Sequence, residues 1–115
     1  MSPLLPNYLR TLRMRWGLTQ PELASLLGVT ESALSKFETQ ALAPTKNLIL
    51  GIEVIFGQTA REVFPALYAQ AERNVMRRAA VFSSRLEQRR DAASLLKRRF
   101  VAEMIQRAEV DNKHL

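Results

Sequence analysis

The chain has 115 residues, of which 47% are apolar, and it contains no cysteine. This length and composition allow a folded core and argue against a wholly disordered chain, and the lack of cysteine excludes disulfides and cysteine-ligated metals. The net charge of +6 favours a polyanionic partner such as nucleic acid. Residues 1–69 carry six basic and five acidic residues, whereas residues 70–115 carry eleven and six, so most of the positive excess lies in the second part of the chain.

The first predicted element is a helix over residues 7–15. Tyr8, Leu9 and Leu12 recur at helical spacing, and Gly17 follows as a stop signal. Met14 and Trp16 are expected to pack against other helices.

Two further helices follow, joined by a tight turn. Thr19 precedes a glutamate by three residues, a capping box that begins a helix over 20–27. Gly28 supplies the left-handed turn, and Thr30 caps a third helix over about 31–39.

Cap signals continue toward the C-terminus. Thr45 caps a fourth helix that ends at Phe56, Thr59 opens a short fifth helix with a second capping box, and Pro65 separates this helix from the next. From Ala66 to about residue 110 there is no glycine or proline, which predicts helix almost throughout. One long helix and a helical hairpin both fit this segment.

Residues 17–38 have the pattern of a helix-turn-helix. The small Ala24 allows the two helices to cross closely, and the predicted shared core is Leu23, Leu26, Val29, Leu34 and Phe37. This core leaves Glu31, Ser32, Ser35 and Lys36 on the opposite face of the third helix, which would enter the DNA major groove by its N-terminal end.

The same segment resembles the phage-repressor (Cro-like, XRE) helix-turn-helix family. Matching residues include Gly17-Leu-Thr-Gln20, Leu23-Ala24, Leu27-Gly28-Val29-Thr30 and Phe37-Glu38. The resemblance covers about residues 5–65. It implies an all-α fold, namely a compact five-helix repressor-like helix-turn-helix bundle with a helical C-terminal extension, and members of the family mostly bind operators as dimers.

The resemblance also implies a set of DNA-binding residues: Gln20, Thr30, Glu31, Ser32, Ser35, Lys36, Thr39, Gln40 and Lys46. Within this set, Glu31, Ser32 and Lys36 would face base edges, while the residues that flank the third helix would contact phosphates. Arg13 and Glu38 match a structural pair that the family often forms beneath the recognition helix. Gln40 departs from the family, which commonly has glycine after that helix.

The expected domains are a helix-turn-helix domain over residues 1–65 and a basic helical arm over 66–115. The arm carries an apolar stripe at heptad-like spacing, predicted to mediate dimerisation: Val75, Ala79, Phe82, Leu86, Ala93, Leu96 and Phe100. The first 65 residues are expected to leave no surplus of apolar surface once their core is filled. A further protein partner that binds the arm is an open alternative.

These features predict a cytoplasmic, sequence-specific DNA-binding regulator that represses by operator occupancy as a homodimer on double-stranded DNA. There are two alternatives: an antitoxin with an autoregulatory DNA-binding domain, and a non-enzymatic adaptor or co-activator module. No apolar run approaches the roughly 20 residues that span a bilayer, and the N-terminus lacks a basic signal-peptide start. We expect neither enzymatic activity nor a cofactor or metal, because no phosphate loop, activated nucleophile or ligand cluster is evident.

Overall fold

A computed structural model of the chain describes residues 7–113, and within that range every regular element is an α-helix. The seven helices are α1 Leu9–Arg15, α2 Gln20–Leu27, α3 Glu31–Glu38, α4 Lys46–Phe56, α5 Ala60–Val63, α6 Pro65–Leu86 and α7 Ala92–Lys113. The predicted all-α class, with five short helices ahead of a helical extension, is therefore confirmed. None of the described helices combines the length and hydropathy that crossing a membrane requires.

The chain divides into two compact units. The first ends at Gln70 and the second begins at Ala71. The domain boundary drawn after residue 65 from the sequence stays a prediction.

Threonine caps begin four of the helices in the first unit. The hydroxyl oxygens of Thr19, Thr30, Thr45 and Thr59 each accept a hydrogen bond from the backbone N–H three residues later, at 3.0–3.3 Å. Each cap satisfies one of the amide donors that a helix start leaves without an intrahelical partner. Gly28 ends α2 at φ 72°, in the left-handed conformation that lets α3 begin three residues later.

The first helix is shorter than predicted, because Asn7 binds the backbone from outside it. The Asn7 side-chain oxygen accepts from Leu9 N at 3.1 Å, and its amide donates to Phe37 O at 3.1 Å. Tyr8 N donates to Val63 O at 2.8 Å. These bonds fasten the start of α1 to α3 and α5, so the helix begins at Leu9 and not at residue 7.

The core of the first unit draws on all five short helices. It comprises Leu9, Leu12, Leu23, Ala24, Leu34, Phe37, Leu48, Ile52, Val63 and Phe64. Gly51 lets α4 approach α2 closely, since a Cβ at this position would lie 2.9 Å from Leu27 Cδ2. Packing of α2 on both α3 and α4 fixes the helix-turn-helix within the bundle.

Some apolar residues that the sequence placed in the core, or packed against other helices, lie at the surface instead. Leu26 is 60% exposed, because the buried face of α2 is centred on Leu23, Ala24 and Leu27. Met14 and Trp16 are exposed as well, since the inward face of α1 passes through Leu9, Leu12 and Arg13.

The expectation that the first 65 residues leave no apolar surplus was wrong. Leu50 and Val54 lie one helical turn apart on the exposed face of α4, in addition to the exposed residues of α1 and α2.

The second unit is a helical hairpin. Residues 87–91 interrupt the helix, and Asn112 Nδ2 near the end of α7 donates to Glu72 Oε1, in the first half of α6, at 2.9 Å. This contact requires the two helices to run antiparallel, so the hairpin alternative holds.

The predicted apolar stripe divides between the interior and the surface of the hairpin. Ala79 and Leu86 are buried, together with Ser94 and Val101, which were not in the stripe. The remaining members are exposed: Val75, Phe82, Ala93, Leu96 and Phe100. Ala79 and Leu86 are thus not available at the surface for dimerisation, because burial within one copy already occupies them.

Asp91 caps the second helix of the hairpin. Its Oδ2 accepts from Ser94 N at 3.0 Å and its Oδ1 accepts from Ser94 Oγ at 2.7 Å. The Ser94 hydroxyl and then its amide lower the pKa of Asp91 below the usual value.

We expect this cap to make the hairpin sensitive to acid. The pKa of Asp91 is lower in the folded state than in the unfolded state. The ionised cap therefore stabilises the fold fully at a pH above the pKa in the unfolded state, and this stabilisation is lost as the pH falls through the pKa in the folded state. Urea unfolding of the parent and of Asp91→Asn at neutral and at acidic pH measures this. The parent should lose more stability on acidification than the variant, and equal losses would contradict the cap's role.

Candidate nucleic-acid interface

Helix α3 presents one face to the core and the other to solvent. Leu34 and Phe37 are buried, whereas Glu31, Ser32 and Lys36 are exposed. Ser35, the fourth outward residue predicted from the sequence, is half-buried. The exposed residues cover the first turn and the middle of the helix, and a helix presented in this way fits a DNA major groove.

A buried ion pair fixes the C-terminal end of α3. Arg13 Nε donates to Glu38 Oε2 at 2.7 Å, and Arg13 Nη2 donates to Glu38 Oε1 at 3.2 Å. The two side chains are only 10% and 1% exposed. The bidentate geometry constrains orientation as well as distance, so α3 is held against α1 at a defined angle.

Two more hydrogen bonds extend this pair into a network. Gln20 Nε2 donates to Glu38 Oε1 at 3.1 Å, and Arg13 Nη1 donates to Leu18 O at 2.8 Å. The first residue of α2 and the loop before it are therefore joined to the same carboxylate–guanidinium pair. The network contains the Arg13–Glu38 pair that the family resemblance implies, and Gln20 is hydrogen-bonded to it.

A shallow groove lies beside the outward face of α3. Its lining includes Arg10, Met14, Gln20, Pro21, Glu31, Ser35 and Thr39. The groove brings together four of the predicted DNA-binding residues and the Arg13–Glu38 pair, and it adds Arg10 and Met14 from α1, which sequence reasoning missed. Spacing could have found Arg10, because it precedes Arg13 by three residues and so shares its side of α1.

The residues predicted to contact phosphates differ in the hydrogen-bonding capacity left to them. Thr30 Oγ1 accepts from Ala33 N at 3.0 Å, which leaves its hydroxyl hydrogen to donate elsewhere. Thr39 Oγ1 donates to Ser35 O at 3.0 Å, and Gln40 Nε2 donates to Glu38 O at 3.2 Å. Lys46 is exposed at the first position of α4.

Gln40 adopts the backbone conformation that glycine usually supplies. Its φ is 64°, and among the described residues it is the non-glycine residue with positive φ. The turn that it forms lets Leu42 N donate to Lys36 O at 3.1 Å and ends the helix. The family's common glycine at this position is thus explained by the left-handed turn, and glutamine occupies it with strain.

We expect a β-branched residue at this position to be poorly tolerated. Gln40→Val should lower the free energy of unfolding by about 1–2 kcal/mol, because a β-carbon branch worsens the clash in the left-handed region. Gln40→Gly is the matched control and should cause no loss, which thermal denaturation of both variants would measure. Equal melting temperatures for the valine and glycine variants would show that the turn relaxes without strain.

A family model described as a helix-turn-helix domain matches residues 5–63, just over half of the chain. The match extends to the last residue of α5, so it includes α1 to α5 and every residue of the groove. Searches of the curated proteins and of the solved structures found no match to this chain.

Proposed function

We propose that this chain, which belongs to the helix-turn-helix domain family, is a sequence-specific DNA-binding regulator of transcription. The observation that carries the proposal is the outward face of α3, where Glu31, Ser32 and Lys36 stand exposed while the Arg13–Glu38 pair holds the helix. A helix that is both exposed and fixed can enter the major groove without a costly rearrangement.

The outward side chains supply the chemistry of base recognition. Lys36 can donate to the O6 and N7 acceptors of guanine, and Glu31 can accept from the N4 amino group of cytosine. Ser32 can donate or accept, so it tolerates several bases. We infer that these three residues select the sequence, and that the charge of Lys36 adds affinity for the phosphate backbone that does not depend on sequence.

Phosphate contacts would position α3 in the groove. The Thr30 hydroxyl and the positive N-terminal end of α3 are suited to one phosphate, and Lys46 at the start of α4 to another. Arg10 adds a cation on the far side of the groove. Glu31 opposes these contacts electrostatically, so the proposed binding depends on the surrounding cations.

We infer that the protein represses transcription by occupying its operator as a homodimer. One helix-turn-helix reads only a few base pairs, which gives little discrimination against other DNA, whereas two copies on a two-fold symmetric site double the sequence that is read. This action requires neither catalysis nor a cofactor, and we propose neither.

An adaptor function is the second candidate, and the exposed apolar residues of the first unit favour it. Leu50 and Val54 lie one helical turn apart on α4 and are 57% and 85% exposed, and exposed apolar patches mark protein-binding sites. Under this proposal the protein would bridge other DNA-bound factors.

Selection of DNA from a random duplex library by the purified full chain separates the two functions. A regulator should enrich one sequence motif, and its affinity should fall with salt at a log–log slope near −0.9 for each phosphate contacted. An adaptor should enrich no motif at any salt concentration, and that result would overturn the DNA-binding proposal.

A further inference from the structure

The second unit carries an apolar groove on its surface. Phe82 of α6 and Leu96 and Phe100 of α7 line it and are 40%, 67% and 63% exposed. Large apolar side chains grouped in this way remain in water unless another surface covers them. The groove lies wholly within the hairpin.

Charged side chains of both signs lie beside the apolar residues of the groove. Lys97, Arg99 and Glu103 complete the lining, and Arg99 Nε lies 3.1 Å from Glu103 Oε1. Both side chains of this ion pair remain largely exposed. Lys97 stands three residues before Phe100 and Glu103 three residues after it, so opposite charges flank the aromatic ring symmetrically along α7.

We infer that the groove binds a second copy of this chain, with the two α7 helices antiparallel and their two-fold axis at Phe100. In that arrangement Lys97 of each copy faces Glu103 of the other, and Leu96 faces Met104. A parallel arrangement would place Lys97 against Lys97 and Glu103 against Glu103, which is repulsive. The surface is therefore self-complementary in one orientation.

The exposed area is appropriate for the core of such an interface. With about 200 Å² for a large side chain, the three apolar residues leave roughly 300 Å² uncovered in each copy. Two copies would bury about 600 Å² from these residues alone, against about 1,200 Å² for a small stable interface. The aliphatic stems of Lys97 and Arg99, which also line the groove, add to this area. Two hairpins joined in this way form a four-helix bundle.

This inference deepens the proposed homodimer by assigning its contact surface, and it rests on the proposed function only for its role on DNA. Dimerisation can be measured without DNA, so the two proposals can fail separately. A dimer that enriches no DNA motif would overturn the regulator alone. A monomer that enriches a motif would overturn the interface and the homodimer but leave the DNA-binding regulator standing.

Sedimentation of the full chain tests the interface. We expect a species of twice 13.1 kDa at micromolar concentration. Leu96→Glu should raise the dimer Kd by about a hundredfold or more, because two copies of the side chain leave the interface. Leu95→Glu is the matched control, since this neighbouring leucine is 47% exposed but does not line the groove, and it should leave the Kd unchanged.

Charge exchange tests the antiparallel orientation. Lys97→Glu alone should weaken the dimer, because it sets two glutamates against each other, and adding Glu103→Lys should restore it. Circular dichroism verifies that each variant stays helical. A monomeric parent, equal effects of the two leucine substitutions, or no rescue by the double exchange would each overturn the proposal.

Discussion

Glu38→Ala should lower the free energy of unfolding by about 3–5 kcal/mol. The substitution leaves the Arg13 guanidinium inside the protein without its carboxylate, and Arg13 is only 10% exposed. Removing one partner of a buried pair is costly because the other charge keeps its desolvation penalty and loses its compensation. Gln20 Nε2 would lose its acceptor as well. For a domain of this size the loss approaches the whole stability.

Urea denaturation at neutral pH measures this effect. Glu38→Gln is the near-isosteric control and should cost less, since its amide oxygen still accepts one of the hydrogen bonds from Arg13. Replacing both partners, as in Arg13→Met with Glu38→Leu, should recover much of the loss because no unpaired charge remains. If Glu38→Ala unfolds at the same urea concentration as the parent, water compensates Arg13 and the pair contributes little to stability.

Lys36→Ala should weaken binding to the selected DNA site by about 1–3 kcal/mol. Lys36 lies on the outward face of α3, where a base edge is within reach of its side chain in the proposed complex. If Lys36 contacts guanine, preference should relax at one position of each half-site while binding to unrelated DNA changes less. Titration of matched and mismatched duplexes with the parent and the variant measures both quantities.

Two other cations of the first unit serve as controls for this prediction. Lys46→Ala should weaken matched and mismatched DNA alike and make the salt slope less negative by about one unit, as a phosphate contact requires. Arg15→Ala should change neither, because Arg15 lines a different groove, with Tyr8 and Glu62. If the Lys36 variant behaved like the Arg15 variant, Lys36 would not contact DNA.

The sequence predicted the first unit well because its signals are local. Each threonine cap and the turn glycine act within three or four residues, and these distances can be read directly from the chain. The position of Leu26 was missed because Leu23 has helical neighbours at both 26 and 27, and only the packing of α2 against α4 decides between them. Periodicity alone does not distinguish such neighbours.

The second unit was harder to predict because its apolar residues outnumber the positions that one hairpin can bury. Heptad-like spacing selected the apolar stripe, but the interior includes Ser94, whose hydroxyl is satisfied by Asp91. A serine is not recognised as an interior residue unless its hydrogen-bond partner is known. Spacing places Arg10 on the same side of α1 as Arg13, but its position in a groove beside α3 depends on how the helices pack.

The separation of the two faces of α3 has a consequence for how such a protein diversifies. The inward residues Leu34, Phe37 and Glu38 hold the helix in place, and the outward residues Glu31, Ser32 and Lys36 lie away from the core. Exchanges at the outward positions should therefore cost little folding stability, since surface substitutions usually change it by about 0.5 kcal/mol or less. Under the proposed function, a lineage can thus acquire new genomic targets by point changes at a few codons, while the scaffold beneath them is inherited unchanged.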